Sequence, residues 1–234
     1  TETVYGLGAD ATNEEACRLI YSLKGRPSHN PLIVHAPSIE AAKAIGEFND
    51  IAERLAEYFW PGPLTIVLNL KVDAGICGIV TAGQGTIGIR VPAHPIALEL
   101  IQKSGKPIAA PSANISNYIS PTEASHVTEA FANILVLEGG RSTYGLESTI
   151  IDLSAENPII LRYGFITAES IENVIGRRVE HKVTGKIIAP GMMDKHYSPG
   201  VEMRINSENV KDDEIFIGFS DISFGELNLS RSGD

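Results

Sequence analysis

The chain is poor in cysteine: Cys17 and Cys77 are the only two in 234 residues. Neither sits in a metal or redox spacing, so a disulfide framework is not indicated and a reducing cytosol is the expected home. No apolar run reaches the length a membrane span needs, and no signal peptide is visible. Cations are also in short supply. Nineteen Lys and Arg face 29 Asp and Glu, a net charge of −10. That argues against a bare nucleic-acid binder, because a phosphate backbone needs clustered cations. It leaves room for a local cationic pocket inside an acidic protein. There is no Walker-A loop, and Gly6-Leu7-Gly8 lacks the third glycine of a dinucleotide fingerprint. No Ser-His-Asp order is readable, and no His/Cys cluster suggests a metal site. A nucleotide site, if there is one, must be assembled from scattered cations and hydroxyls. The first residue is Thr1 rather than Met, which reads as a trimmed start.

What is present is an ordinary globular composition, 43% hydrophobic and 21% charged, with length for one generous domain or one domain and part of another. Thr12 with Glu15 reads as a capping box, followed by Ala16, Leu19, Ile20 and Leu23 on one helical face and Gly25 as the stop. Strands are predicted at 32–34, 64–70, 87–91, 108–110, 134–137, 148–153 and 159–162. Helices are predicted at 38–45, 50–59, 95–104, from Ser120 with Pro121 at its first position, and at 167–175. Strands and helices mix without strict alternation, which favours an α/β (α+β) domain with a mixed sheet over a doubly wound parallel one. From Arg177 to about Gly200 the periodicity fades and two Pro-Gly pairs punctuate a linker. Residues 201–234 carry eight acidic and three basic side chains and one plausible strand, 214–219. They are too few to bury a core alone and read as the start of a second domain.

Chemistry concentrates in Lys24-Gly25-Arg26-Pro27-Ser28-His29-Asn30-Pro31-Leu32-Ile33-Val34-His35. Lys24 and Arg26 suit phosphate, as a point charge and a fork, although cations at a helix C-terminus are also routine caps. His35 ends an apolar strand, where ligand crevices form and where ordinary sheet-edge histidines also sit. Thr86 and Arg90 share one strand face, either toward a cavity or toward solvent. Ser112 and Asn114 occupy a proline-bounded turn that they could simply cap. Ser148 follows a glycine-bearing loop, Arg162 ends a strand, and Tyr197 is an aromatic in the linker. Polar groups at several strand ends suit positioning and charge neutralisation more than covalent catalysis.

Several stretches occur in one order: Thr1-Glu2-Thr3-Val4-Tyr5-Gly6-Leu7-Gly8, the Lys24–His35 stretch, Phe59-Trp60-Pro61-Gly62-Pro63-Leu64-Thr65, Ile89-Arg90-Val91-Pro92, Pro111-Ser112-Ala113-Asn114 and Gly145 to Thr149. This set resembles the YrdC-type threonylcarbamoyl-AMP synthase family over about residues 1–175. Ala189-Pro190-Gly191-Met192 and His196-Tyr197-Ser198-Pro199 resemble the linker of its longer, two-domain members. The resemblance implies a YrdC-like twisted mixed sheet, flanked by helices, with a concave ligand cavity in residues 1–176. It further implies a linker or lid at 177–200, a C-terminal domain fragment at 201–234 and a strand ahead of Thr1.

The implied reaction makes threonylcarbamoyl-AMP and pyrophosphate from L-threonine, bicarbonate and ATP with Mg2+. A partner transferase then carries the threonylcarbamoyl group to tRNA. Lys24 and Arg26 would hold phosphates and Asn30 the nucleotide end. Thr3, His35, Arg90 and Ser148 would hold threonine, with Arg90 on its carboxylate. Thr86, Ser112, Asn114 and Ser148 would line the nucleotide and carbamate pocket, and Arg162 and Tyr197 would close over the nucleotide. Tyr163 stands where the family usually has proline, Met193 to Lys195 where basic and aromatic residues are usual, and Asn117 where glycine is common. Two other readings are a double-stranded RNA-binding module without catalysis and the carbamoyl-adenylating domain of a carbamoyltransferase. The second of these carries zinc-finger and acylphosphatase-like segments that are not visible here.

Overall fold

The computed structural model describes residues 1–181, 189–190, 202–205, 207, 209–211, 213–220 and 227–229. Along the first unit, Thr1–Pro199, run β1 (Ala9–Asp10), α1 (Glu14–Lys24), β2 (Ile33–His35), α2 (Ile39–Lys43), α3 (Asp50–Phe59), β3 (Leu64–Asn69) and β4 (Thr86–Arg90). Then come α4 (Pro95–Ser104), β5 (Ile108–Ala109), α5 (Ala124–Ala130), β6 (Thr149–Asp152), β7 (Ile159–Arg162), α6 (Ala168–Ile175) and β8 (Glu180–His181). The second unit, Gly200–Asp234, contains β9 (Ile217–Gly218) and β10 (Leu227–Asn228), paired in parallel.

The eight strands of the first unit form one mixed sheet in the order β1-β5-β2-β4-β3-β6-β7-β8. β2 runs parallel to β4, with His35 opposite Arg90, and β3 is antiparallel to β4 and parallel to β6. Side chains alternate across each strand. One face presents Val34, Ile66, Leu68, Ile87, Ile89 and Ile151 to the main core, where Ile20 of α1, Leu55 of α3 and Ile171 of α6 are also buried. The opposite face carries Ile33, Val67 and Ile150. By alternation and register it also carries Thr65, His35 and Arg90. The sheet therefore has an oily side under the helices and a mixed side that lines a cavity.

Helices α3 and α4 match their predicted ranges residue for residue. Other expectations need correction. Asn13, not Thr12, caps α1, because Thr12 is drawn back by two hydrogen bonds to Asp10 Oδ1 while Asn13 Oδ1 accepts from Ala16 N. The buried stripe of α1 is Cys17, Ile20, Tyr21 and Lys24; Leu19 and Leu23 are 58% and 46% exposed. Pro121 precedes α5 rather than starting it, and its carbonyl accepts from Tyr5 N at 2.8 Å. Residues 134–137 form no strand. Ile134 and Val136 pack on Tyr5, Val127 and Phe131 while Leu135 is 88% exposed, so the alternation exists without a ladder partner among the described residues. In the second unit only 217–218 of the expected 214–219 strand is paired. Helix α6 belongs physically to the first unit. Ile171 and Ile175 are buried in its core, and Arg54 Nη1 donates to Ile175 O at 3.3 Å.

Candidate functional site

A cavity of about 530 Å3 opens against the mixed face of the sheet. Its walls include Thr3, Arg26, His35, Arg90, Ser112, Ser148 and Arg162, seven of the twelve residues singled out from the sequence. Arg26, Arg90 and Arg162 are its cations; Asp10 and Glu147 are its acids. An apolar flank of Ile96, Leu100, Val127 and Val136 completes it.

Arg90 is buried and held on three sides. Nε donates to Gly62 O at 3.0 Å, Nη1 to Thr3 Oγ1 at 2.9 Å, and Nη2 pairs with Glu2 Oε1. The tight Trp60-Pro61-Gly62-Pro63 turn, with a cis Trp60–Pro61 bond, supplies that carbonyl. A Cβ on Gly62 would sit 2.1 Å from Phe59 O, which only glycine avoids. Burial opposes ionisation of Glu2, but Arg90's charge and hydrogen bond prevail and hold its carboxyl below the usual range. Beside Arg90 in register, His35 is buried with Nδ1 lacking a hydrogen-bond partner among the described residues. Burial, reinforced by Arg90's charge, pushes its pKa down to about 3, so the ring is neutral at physiological pH.

Around the remaining wall, Arg162 donates from Nε to Ser148 O at 3.0 Å and from Nη2 to Ser148 Oγ at 3.1 Å. Ser148 Oγ also lies 2.7 Å from Thr65 Oγ1. Gly164 passes so close behind that a Cβ there would meet Glu147 O at 2.4 Å and Thr149 N at 2.5 Å. Arg26 is anchored by Asn30 O, Asn30 Oδ1 and Pro31 O at 3.0, 2.7 and 2.7 Å. Burial pulls the pKa of Arg26 and of Arg162 down to about 10; for Arg162, Glu147 opposes the fall while Arg90 and Arg26 add to it. The three guanidinium groups thus crowd one space and stay charged at neutral pH. An anionic ligand there would relieve their mutual repulsion.

Four expected residues do not line the cavity. Lys24, 1% exposed, donates to Ser112 O at 2.6 Å and to Asn114 O, so it braces the 111–114 turn from behind. Burial and the nearby Arg26 bring its pKa down to about 7. Asn30 braces Arg26. Thr86 starts β4, opposite Asn69, four residues and roughly 13 Å of extended strand from Arg90. Asn114 lines a separate open cleft with Ile115 and Tyr118. Tyr197 falls outside the described residues. Sequence reasoning missed Glu2 and Glu147, although both stand inside the quoted motifs. It also missed Tyr5, whose hydroxyl donates to Gly140 O at 2.7 Å and accepts from Gly139 N at 3.1 Å across the cavity wall.

Residues 1–164 match the profile of the Sua5/YciO/YrdC family, described as telomere recombination. Residues 166–227 match the threonylcarbamoyl-AMP synthase C-terminal domain. The threonylcarbamoyl-AMP synthase of Pyrococcus abyssi is 47% identical over 211 residues, 87% of this chain and 62% of that protein. That of Bacillus subtilis is 46% identical over 212 residues, 88% and 61% respectively. The chain therefore spans about three fifths of the length of these curated relatives. The crystal structure of P. abyssi Sua5 complexed with L-threonine is similar at a TM-score of 0.82 and 47% identity, over 86% of this chain and 61% of that one. Escherichia coli YciO, at 21% identity and a TM-score of 0.65 over 73% of this chain and 84% of that one, shares the fold. With its profile matched from the first residue through β7, its mixed sheet shared and its motifs gathered on one cavity, this chain belongs to the Sua5/YciO/YrdC family.

Proposed function

We propose that this chain carries the catalytic site of an L-threonylcarbamoyladenylate synthase. The observation that carries the reading is the convergence of Arg26, Arg90 and Arg162 on one cavity in a protein of net charge −10. At about 530 Å3 the cavity lies in the usual range for small-molecule sites.

Threonine would enter at the Arg90 end, its carboxylate taking N–H donors that Gly62, Thr3 and Glu2 leave over; a guanidinium has five and these use three. His35 and Thr3 would face the same amino acid. Bicarbonate and the threonine ammonium condense to a carbamate with loss of water and a proton. A carbamate oxygen then attacks the α-phosphorus of ATP, the bond to the β-phosphate breaks, and pyrophosphate leaves. Nucleophile and electrophile are both anionic, so Arg26 and Arg162 would lower the barrier by screening that charge. Ser112 and Ser148 offer hydroxyls to the nucleotide and carbamate. Magnesium belongs to the substrate here, arriving on the triphosphate. Among the described residues no group of three or more His, Cys, Asp or Glu converges, so phosphate oxygens and water must supply most of its ligands.

The product would pass to a threonylcarbamoyl transferase acting on tRNA, in the cytoplasm, with at most weak RNA contact by this chain. No helix among the described residues is long and apolar enough to cross a membrane. The cavity-facing guanidinium groups suit a small polyanion better than an RNA duplex. The test is pyrophosphate release by the full-length protein with ATP and magnesium. We expect release only when threonine and bicarbonate are both present; equal turnover without threonine overturns the proposal.

A further inference from the structure

Glu147 is 7% exposed and stands in the cavity wall. Ser120 Oγ donates to its Oε1 at 2.5 Å, while Oε2 is buried with no hydrogen-bond partner among the described residues. A buried carboxylate with a bare oxygen is costly until a cation or donor completes it. Among the described residues no lysine or arginine forms an ion pair with Glu147. Arg162 spends Nε and Nη2 on Ser148, and Lys24 spends its ammonium on the Ser112 and Asn114 carbonyls. Glu147 favours the charged forms of these two, which locates it on the Arg162 side; Arg90 and His35 respond to Glu2 instead.

Resting on the reading of the cavity as an ATP site, this poses a conflict. A bare triphosphate held by Arg26 and Arg162 would lie beside an anion. A divalent cation between them removes the conflict, because Mg2+ is typically bound through one or two carboxylates together with substrate phosphates and water. We infer that Glu147 is the protein's anchor for the divalent cation of the metal–triphosphate. Ser120 orients the carboxylate. The close passage of Gly164 fixes the backbone from which it projects. The rival occupant, the threonine ammonium, shares a carbon with the carboxylate that Arg90 would take. It would therefore lie in the Glu2 and His35 neighbourhood.

The test is calorimetry of a non-hydrolysable ATP analogue on the full-length protein, with excess magnesium and with chelator. The unmodified protein is expected to bind the magnesium form at least about tenfold more tightly. Glu147→Gln should bind the two forms within about twofold of each other, with metal-free affinity no lower than before, since a repulsion has gone. A retained magnesium gain in Glu147→Gln overturns the inference. So does an equal loss of both forms, which would mark a contact to base or sugar, or a selective loss of threonine affinity, which would mark the ammonium. If Glu147→Gln does not fold by thermal melting, Glu147→Asp replaces it and should show a reduced gain; an unaltered gain overturns the inference. Unmodified protein that binds both forms equally defeats this inference alone, whereas protein that binds neither defeats the proposed function itself.

Discussion

Arg90 shows how a buried guanidinium can be both pinned and useful. Gly62, Thr3 and Glu2 each take one of its donors, which fixes the plane of the fork before any substrate arrives. Arg90→Ala would strand the Glu2 carboxylate, and breaking a buried pair costs about 3–5 kcal/mol. Arg90→Lys is the better probe, since it keeps the charge but cannot reproduce three contacts and a bidentate grip. We expect threonine affinity to fall about 10–100-fold and ATP affinity less than about threefold, by calorimetry. The reverse order would refute the assignment of Arg90 to the amino acid. Arg90 and His35 were legible in the sequence because each ended a largely apolar strand, and Ser148 because it followed a glycine-bearing loop at the start of one. Lys24 was expected to hold phosphate or to cap its helix; its ammonium is instead turned inward to two carbonyls 88 and 90 residues away. Nothing local announces such partners. Glu147 escaped notice because a carboxylate in a cation-lined pocket contradicts the simple expectation of an anion site.

Strands and helices were legible where the pattern was strong and local. Helix α3 lies between Asn49, whose side chain accepts from Ala52 N, and the Trp60-Pro61 break, and its bounds agree with expectation. Residues 134–137 are an apolar run of strand-forming type, but pairing is a property of two segments and cannot be read from one. Gly164 is an element-scale requirement of the same non-local kind: the chain after β7 must pass the backbone just before β6 at a distance no side chain permits. Gly164→Ala should lower stability by about 1–3 kcal/mol, the usual cost of overpacking. It should also weaken ATP binding by displacing Ser148 from Arg162. A variant with unchanged melting temperature and ATP affinity would show that the segment yields freely.

Burial makes several bases release their protons more readily in the fold than in the unfolded chain, His35 and Lys24 most of all. His35 titrates near 3 against an ordinary 6.5, and Lys24 near 7 against 10.5, in both cases chiefly through burial. The unfolded state therefore binds more protons across both windows, and stability rises with pH through each. The Cys17 thiol and Tyr21 phenol act oppositely, since burial pushes both to about 12 from 9 and 10. The folded chain keeps protons there that the unfolded chain has lost, so above about pH 9 these two offset the rise that Lys24 still contributes. Urea titrations across pH should find stability still rising between about pH 7 and 9, and Lys24→Met should flatten that rise. A maximum near pH 6, or an unflattened rise, would show that Lys24 is charged in the fold. One consequence concerns how such a protein can change over time. Because His35 and Arg90 meet through the pairing of β2 with β4, one residue inserted into either strand would turn its end residue to the oily side of the sheet. The path from Lys71 to Gly85 has no strand register to keep, since no strand lies within it, although Val80 there is buried in the core. Length variation is thus channelled into connections, while the two short strands behave as a counted ruler.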